Sequence, residues 1–132
     1  MKFRYKSYGP GLLRPVIPIE IISGDNSVFY EVLVDSGADS NIFSSEISNI
    51  LGINLAKGDK GEVAGITGES KPFYFHYLDI KVGGNLVRNV KIGFLKDIGK
   101  YAYGVVGQKG FFDIFVVKFD LLKKEIELKP RQ

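Results

Sequence analysis

The sequence predicts a mostly β protein. Valine and isoleucine together number 26 against 4 alanines, and β-branched side chains favour a pleated, half-buried surface over a helix. The long apolar runs are separated by short groups of Gly, Asn and Asp, the chemistry of tight reversals. Helical spacing is confined to short segments.

The elements follow in chain order. Val16 to Ser23 and Val28 to Val34 are β-branched runs joined by Gly24-Asp25-Asn26-Ser27, a first hairpin. A helix is expected from an N-cap at Ser44 or Ser45, with Ile47, Ile50 and Leu51 on one face and a stop at Gly52. Phe73 to Val82 and Leu86 to Leu95 flank Gly83-Gly84-Asn85, a second hairpin. About two helical turns are expected around Gly110 to Phe115. Val116 to Phe119 and Glu125 to Lys129 then read as closing strands around a turn at Asp120 to Lys124. No linker, low-complexity run or tandem repeat interrupts this pattern, so residues 1–132 are expected to form a single domain.

Composition excludes several classes. At 132 residues the chain can bury roughly two thirds of its unfolded surface. With 45% hydrophobic and 25% charged residues it matches neither a membrane-embedded nor a disordered chain. The richest apolar stretch, Phe111 to Val117, is broken by Asp113 and falls far short of the 18 or so residues of a membrane span. Pro10, Arg14, Pro15, Pro18 and Glu20 interrupt any signal-peptide core, so a cytoplasmic, unprocessed chain is expected. The absence of cysteine removes disulfide scaffolds, thiolate zinc sites and cysteine nucleophiles. The lone His76 sits in an alternating aromatic and polar run and reads as a partly exposed strand residue. The net charge of +3 is a small basic excess spread along the chain, so no nucleic-acid partner is expected.

Chemistry concentrates in two segments. Val32-Leu33-Val34-Asp35-Ser36-Gly37-Ala38-Asp39 is an apolar strand that delivers a carboxylate into a tight turn. A carboxylate at such a place is either hydrogen-bonded by the turn or part of a functional pair. Asp-Ser-Gly is also ordinary turn chemistry, so the tripeptide alone is weak. What strengthens it is a second apolar strand end, Tyr103-Gly104-Val105-Val106-Gly107-Gln108.

With these two segments the chain resembles the retropepsin-like aspartic proteases, and most closely their prokaryotic members. Leu33, Val34, Asp35, Ser36, Gly37 and Ala38 match the family's active-site signature, and Val105, Val106 and Gly107 match its later apolar-apolar-Gly element. Val63-Ala64-Gly65-Ile66-Thr67-Gly68 stands where the family has its flap hairpin. The resemblance implies a closed β-barrel with a flap and one or two short helices, acting as a twofold homodimer on polypeptide substrates without metal or cofactor. It implies that Asp35 is catalytic, with Ser36 and Gly37 completing the active-site turn. Ala38, Asp39, Gly65, Ile66, Thr67, Tyr103 and Val105 would contact substrate.

The viral members carry Arg where this chain has Gln108; here Gln108 is expected to donate a weaker, uncharged hydrogen bond to Asp39. The chemistry explains the dimer. Amide hydrolysis without metal or nucleophile needs one carboxylate to take a proton from water and another to give one to the substrate. A chain with one Asp-Ser-Gly obtains the second from a symmetry mate. The dimer interface is expected to include the Asp35 to Gly37 turn and an unpaired end strand at Glu125 to Lys129. Two other readings fit the sequence: a non-catalytic dimeric protein-binding module with the same fold, and a small basic barrel stacking single-stranded nucleic acid on Tyr5 and Tyr8.

Overall fold

The computed structural model describes residues 1–64, 70–96 and 103–131. Twelve strands and one α-helix are found there: β1 Lys2–Arg4, β2 Lys6–Ser7, β3 Leu13–Arg14, β4 Val16–Ser23, β5 Asn26–Val34, β6 Asn41–Ser44, α1 Ser45–Ile50, β7 Asp59–Ala64, β8 Ser70–Val82, β9 Asn85–Leu95, β10 Gly104–Val106, β11 Phe115–Asp120 and β12 Glu125–Pro130. A single 3₁₀ turn occupies Leu55–Lys57.

Six strands close a barrel in the order β4, β5, β10, β6, β9, β8, with β8 returning to β4. The β4–β5 and β8–β9 hairpins are both antiparallel, as the sequence predicts. Their reversals are tighter than expected, because Asn26 pairs with Ser23 and Asn85 with Val82, leaving Gly24-Asp25 and Gly83-Gly84 as the turns. Gly83 and Gly84 have φ of +54° and +83°, the left-handed region that a two-residue hairpin turn demands. Two parallel pairings, β5 with β10 and β6 with β9, and the antiparallel pairing of β10 with β6 complete the ring. Alternate residues point inward, as a pleated strand requires. Ile17, Ile19 and Ile21 of β4, Val32 and Val34 of β5, Phe43 of β6, Ile80 and Val82 of β8, Val90, Ile92 and Phe94 of β9, and Val106 of β10 form the core. Each such side chain stabilises the fold by about 1.5–3 kcal/mol on burial.

Helix α1 starts at the expected place: the Ser44 hydroxyl accepts the Glu46 N–H. Ile47 and Leu51 are buried, but Ile50 is 62% exposed. At 100° per residue Ile50 and Leu51 fall on opposite sides of Ile47, and so short a helix buries only one of them. The helix expected at Gly110 to Phe115 is instead a series of turns. Phe112 N–H and Asp113 N–H reach back five residues to the Gly107 and Gln108 carbonyls, and Ile114 N–H and Phe115 N–H both donate to the Phe111 carbonyl, a turn that is not continued. Its apolar spacing comes from Phe111 and Phe115, both fully buried in the core.

The terminal strands also differ from expectation. Glu125 to Lys129 is no end strand: β12 lies between β1 and β11, antiparallel to both. The three residues of β1 occupy the edge that the sequence left open on β12, pairing Lys2 with Glu127, Phe3 with Ile126 and Arg4 with Glu125. His76 is a half-buried residue of β8, as read from sequence, and its Nε2 lies 3.0 Å from the Leu55 carbonyl.

Candidate active site

Parallel pairing of Val32–Val34 with Gly104–Val106 brings the ends of β5 and β10 to the same rim of the barrel. Asp35 and Gly107, the next residue of each strand, therefore emerge side by side. Asp35 N–H donates to the Val106 carbonyl at 3.0 Å, and the Asp35 carbonyl accepts the Ala38 N–H at 3.1 Å, closing the turn. The carboxylate is held as well: Oδ1 accepts the Gly37 N–H at 2.9 Å. Asp35 is half-buried, whereas Ser36 and Gly37 are exposed.

The second segment is zipped onto the turn. Gln108 N–H donates to the Ala38 carbonyl at 2.9 Å and Lys109 N–H to the Asp39 carbonyl at 3.0 Å. This zipper is why Gly107 has no side chain. A Cβ there would stand 2.5 Å from the Ala38 oxygen and 2.8 Å from that of Ser40. The Gln108 side chain makes a different contact from the one expected. Its Nε2 donates to the Ser36 carbonyl at 2.9 Å rather than to Asp39. A neutral amide has no charge to draw it to the carboxylate, and the carbonyl of the turn is a sufficient acceptor.

One positioning residue escaped the sequence reading. Asn41 is 1% exposed. Its Oδ1 accepts the Gly107 N–H at 3.0 Å, while Nδ2 donates to the carbonyls of Gly110 at 3.1 Å and Lys91 at 3.3 Å. One amide thus fastens β6, β9 and the segment after β10 beneath the active-site turn. Buried donors and acceptors that lose their partner carry the full desolvation cost. Replacing Asn41 by Ala is therefore expected to destabilise the protein by about 2–4 kcal/mol. Urea titrations of both proteins at one protein concentration test this, and an unchanged midpoint would remove Asn41 from this role.

Asp35, Ser36, Gly37, Ala38 and Asp39 thus form one cluster braced by Gln108. Ala38 is half-buried and Asp39 exposed. Val105 is half-buried, level with Leu33 on one side and Ile42 on the other. Tyr103 precedes β10 and so lies about 10 Å or more down the strand from Asp35. It is 6% exposed, and its hydroxyl accepts from Arg14 Nη1 at 2.7 Å. Tyr8 packs edge-on against Tyr103 at 5.7 Å, with the Arg14 guanidinium 5.1 Å from the Tyr8 ring. Behind the turn, Gly104 lets Tyr30 and Phe43 approach, since a Cβ would stand 2.6 Å and 2.8 Å from their rings. Burial pushes the Tyr30 phenol above its usual range, opposed by the hydrogen bond from Ser44 N–H. Gly65, Ile66 and Thr67 lie outside the described residues; the arms leading to them, β7 and β8, are paired from Asp59 with Phe75 to Ala64 with Ser70.

The aspartyl protease family matches residues 17–109, a span that contains both the Asp35 turn and the Gly107 segment zipped onto it. This chain belongs to the aspartyl protease family. A retropepsin-like aspartic protease from Rickettsia conorii shares the fold with a TM-score of 0.69 at 19% identity, over 97% of this chain and 89% of that one. EIAV protease complexed with the inhibitor HBY-793 shares it with a TM-score of 0.54 at 22% identity, over 77% of this chain and 88% of that one. No curated protein matches. Among aspartyl proteases this chain has the retropepsin-like fold, a closed mixed barrel of six strands with one short helix.

Proposed function

We propose that this aspartyl protease is an endopeptidase that hydrolyses peptide bonds in extended polypeptides, using a pair of Asp35 carboxylates contributed by two copies of the chain. The observation that carries the reading is the Asp35 turn itself. A carboxylate is fixed by a backbone N–H at 2.9 Å, at a barrel rim whose next two residues, Ser36 and Gly37, face solvent. A twofold axis beside this turn would bring the two carboxylates together.

Two adjacent carboxylates share one proton because both cannot ionise side by side. The ionised member takes a proton from water as its oxygen attacks the peptide carbon, and the protonated member gives its proton to the carbonyl oxygen. The tetrahedral diol then collapses: the C–N bond breaks, the amine leaves with the proton held by one carboxyl, and a hydroxyl of the diol returns its proton to the other carboxylate, so the products are a carboxylic acid and an amine and the pair again holds one proton. Ser36 would hydrogen-bond across the axis, and Ala38, Asp39 and Val105 would line the cleft. Asp39 is well suited to accept main-chain N–H groups of an extended peptide, since its carboxylate is exposed and its backbone is fixed by Lys109.

The pH profile tests this chemistry. Activity requires one proton on the pair, so it is lost when both carboxylates are protonated and again when both are ionised. Cleavage of a fluorogenic peptide from about pH 3 to about pH 9 is expected to give a bell with its maximum on the acidic side. A rate that rises steadily through the alkaline range would refute the carboxylate pair.

A further inference from the structure

We propose that the cavity beside the active-site turn is a specificity pocket for an acidic substrate side chain, selected by Lys91 and Lys109. The cavity, about 340 Å³, is lined by Asp39, Ser40, Phe75, Lys91, Gln108 and Lys109. The proposal deepens the reading of the cleft as a peptide-binding site and rests on it.

The pocket is an extension of the site rather than a separate feature. Asp39 and Gln108 belong to the turn and its brace, and Ser40 pairs with Lys109 in an isolated bridge that continues the zipper. An extended peptide crossing the Asp35 turn would run past Asp39 and present an outlying side chain here. The chemistry that awaits it is cationic and apolar. The Lys91 ammonium sits 4.0 Å from the centre of the Phe75 ring, held over its face by the ring's negative potential. The ion pairs among the described residues use neither Lys91 nor Lys109. Asp39 is the one carboxylate of the lining, so the two ammonium groups leave a net positive pocket. Phe75 offers an apolar wall to a methylene stem. Glutamate meets both demands, since its carboxylate can reach the ammonium groups while its methylenes lie along the ring.

Twofold symmetry sharpens the expectation. In a homodimer the pocket occurs twice, once on each side of the scissile bond. An acidic side chain is therefore favoured at one outlying position on each side.

The test uses a set of peptides carrying Glu, Gln or Lys at each position flanking a cleavable bond. Cleavage is measured with the native sequence, and binding by fluorescence anisotropy with the Asp35→Asn protein, which retains the pocket. Glu is expected to exceed Gln by about three- to tenfold at one position on each side, in binding and in kcat/KM, and the ratio is expected to shrink in high salt. Lys91→Met and Lys109→Met should each reduce the ratio, and Lys109→Glu should turn the preference toward Lys. Cleavage with no Glu preference, or a preference untouched by these substitutions, overturns the pocket and spares the endopeptidase. Glu-selective binding without cleavage supports the pocket and overturns the endopeptidase. Neither binding nor cleavage overturns both.

Discussion

Replacing Asp35 by Asn is expected to abolish peptide hydrolysis while leaving the fold intact. The amide keeps an oxygen where Oδ1 accepts the Gly37 N–H, so the turn that Asp35 closes through its own backbone has no reason to open. What disappears is the proton. An amide can neither take one from water nor hold one for the leaving amine, and the pair loses both of its roles together. A loss of about 10³-fold or more in kcat is expected, with the urea midpoint shifted by less than about 0.5 kcal/mol equivalent. Cleavage by a purified Asp35→Asn sample at the native rate would end the assignment of Asp35. Loss of activity together with loss of the folded state would show that the residue serves the barrel instead.

Dilution is expected to have an effect as large. If each chain supplies one Asp35, a monomer carries half a site, and only the dimer turns over substrate. Below the dimer dissociation constant the dimer concentration scales with the square of total protein, so a tenfold dilution lowers the rate by about a hundredfold. The brace on the turn bears on where that constant lies. Gln108 holds the Ser36 carbonyl through an uncharged hydrogen bond at 2.9 Å, which is worth about half of a charge-assisted one. The edges of the terminal sheet are β1 and β11, with β12 between them and paired to β1 over Glu125–Glu127. Of these, β11 carries Val116 at 47% and Phe119 at 41% exposure. Sedimentation and activity over one dilution series check the expectation. Full specific activity from a strictly monomeric protein would refute the shared pair, and a stable dimer without activity would favour a protein-binding module.

The sequence made the local parts of this fold legible and left the long-range parts obscure. Both long hairpins could be read because Gly24-Asp25 and Gly83-Gly84 punctuate runs of β-branched residues, and the start of α1 because Ser44 is a good N-cap. Insertion of β10 between β5 and β6 left no local trace, since pairing across some seventy residues has no turn to announce it. Lys2–Arg4 is too short and too charged to read as a strand, so its partner β12 looked like an open edge. Phe111 and Phe115 share helical spacing because both enter the core, yet the chain between them turns without forming a helix. At the site, Asp35 stood out because a carboxylate ends an apolar run. Asn41 did not, because a lone asparagine after a turn reads as more turn, and nothing in its neighbours says that its amide is buried.

Strand β8 belongs to two parts of the molecule at once. One of its edges pairs with β9 from Phe73 to Val82, while the other is shared, by β7 up to Phe75 and by β4 from Asp79 to Lys81. Between those two partners, residues 76–78 are gripped by a strand on one side only, helped by the His76 contact to Leu55. From Phe73 to Phe75 the strand is paired on both edges, whereas residues 70–72 have β7 alone, so the β7–β8 arm is a lever that parts from the barrel wall at Phe73. A swing of the arm about Phe73 leaves every pairing of β8 with β9 and β4 in place, whereas a bend at residues 76–78 would break those of Phe73, Tyr74 and Phe75 with Leu95, Phe94 and Gly93.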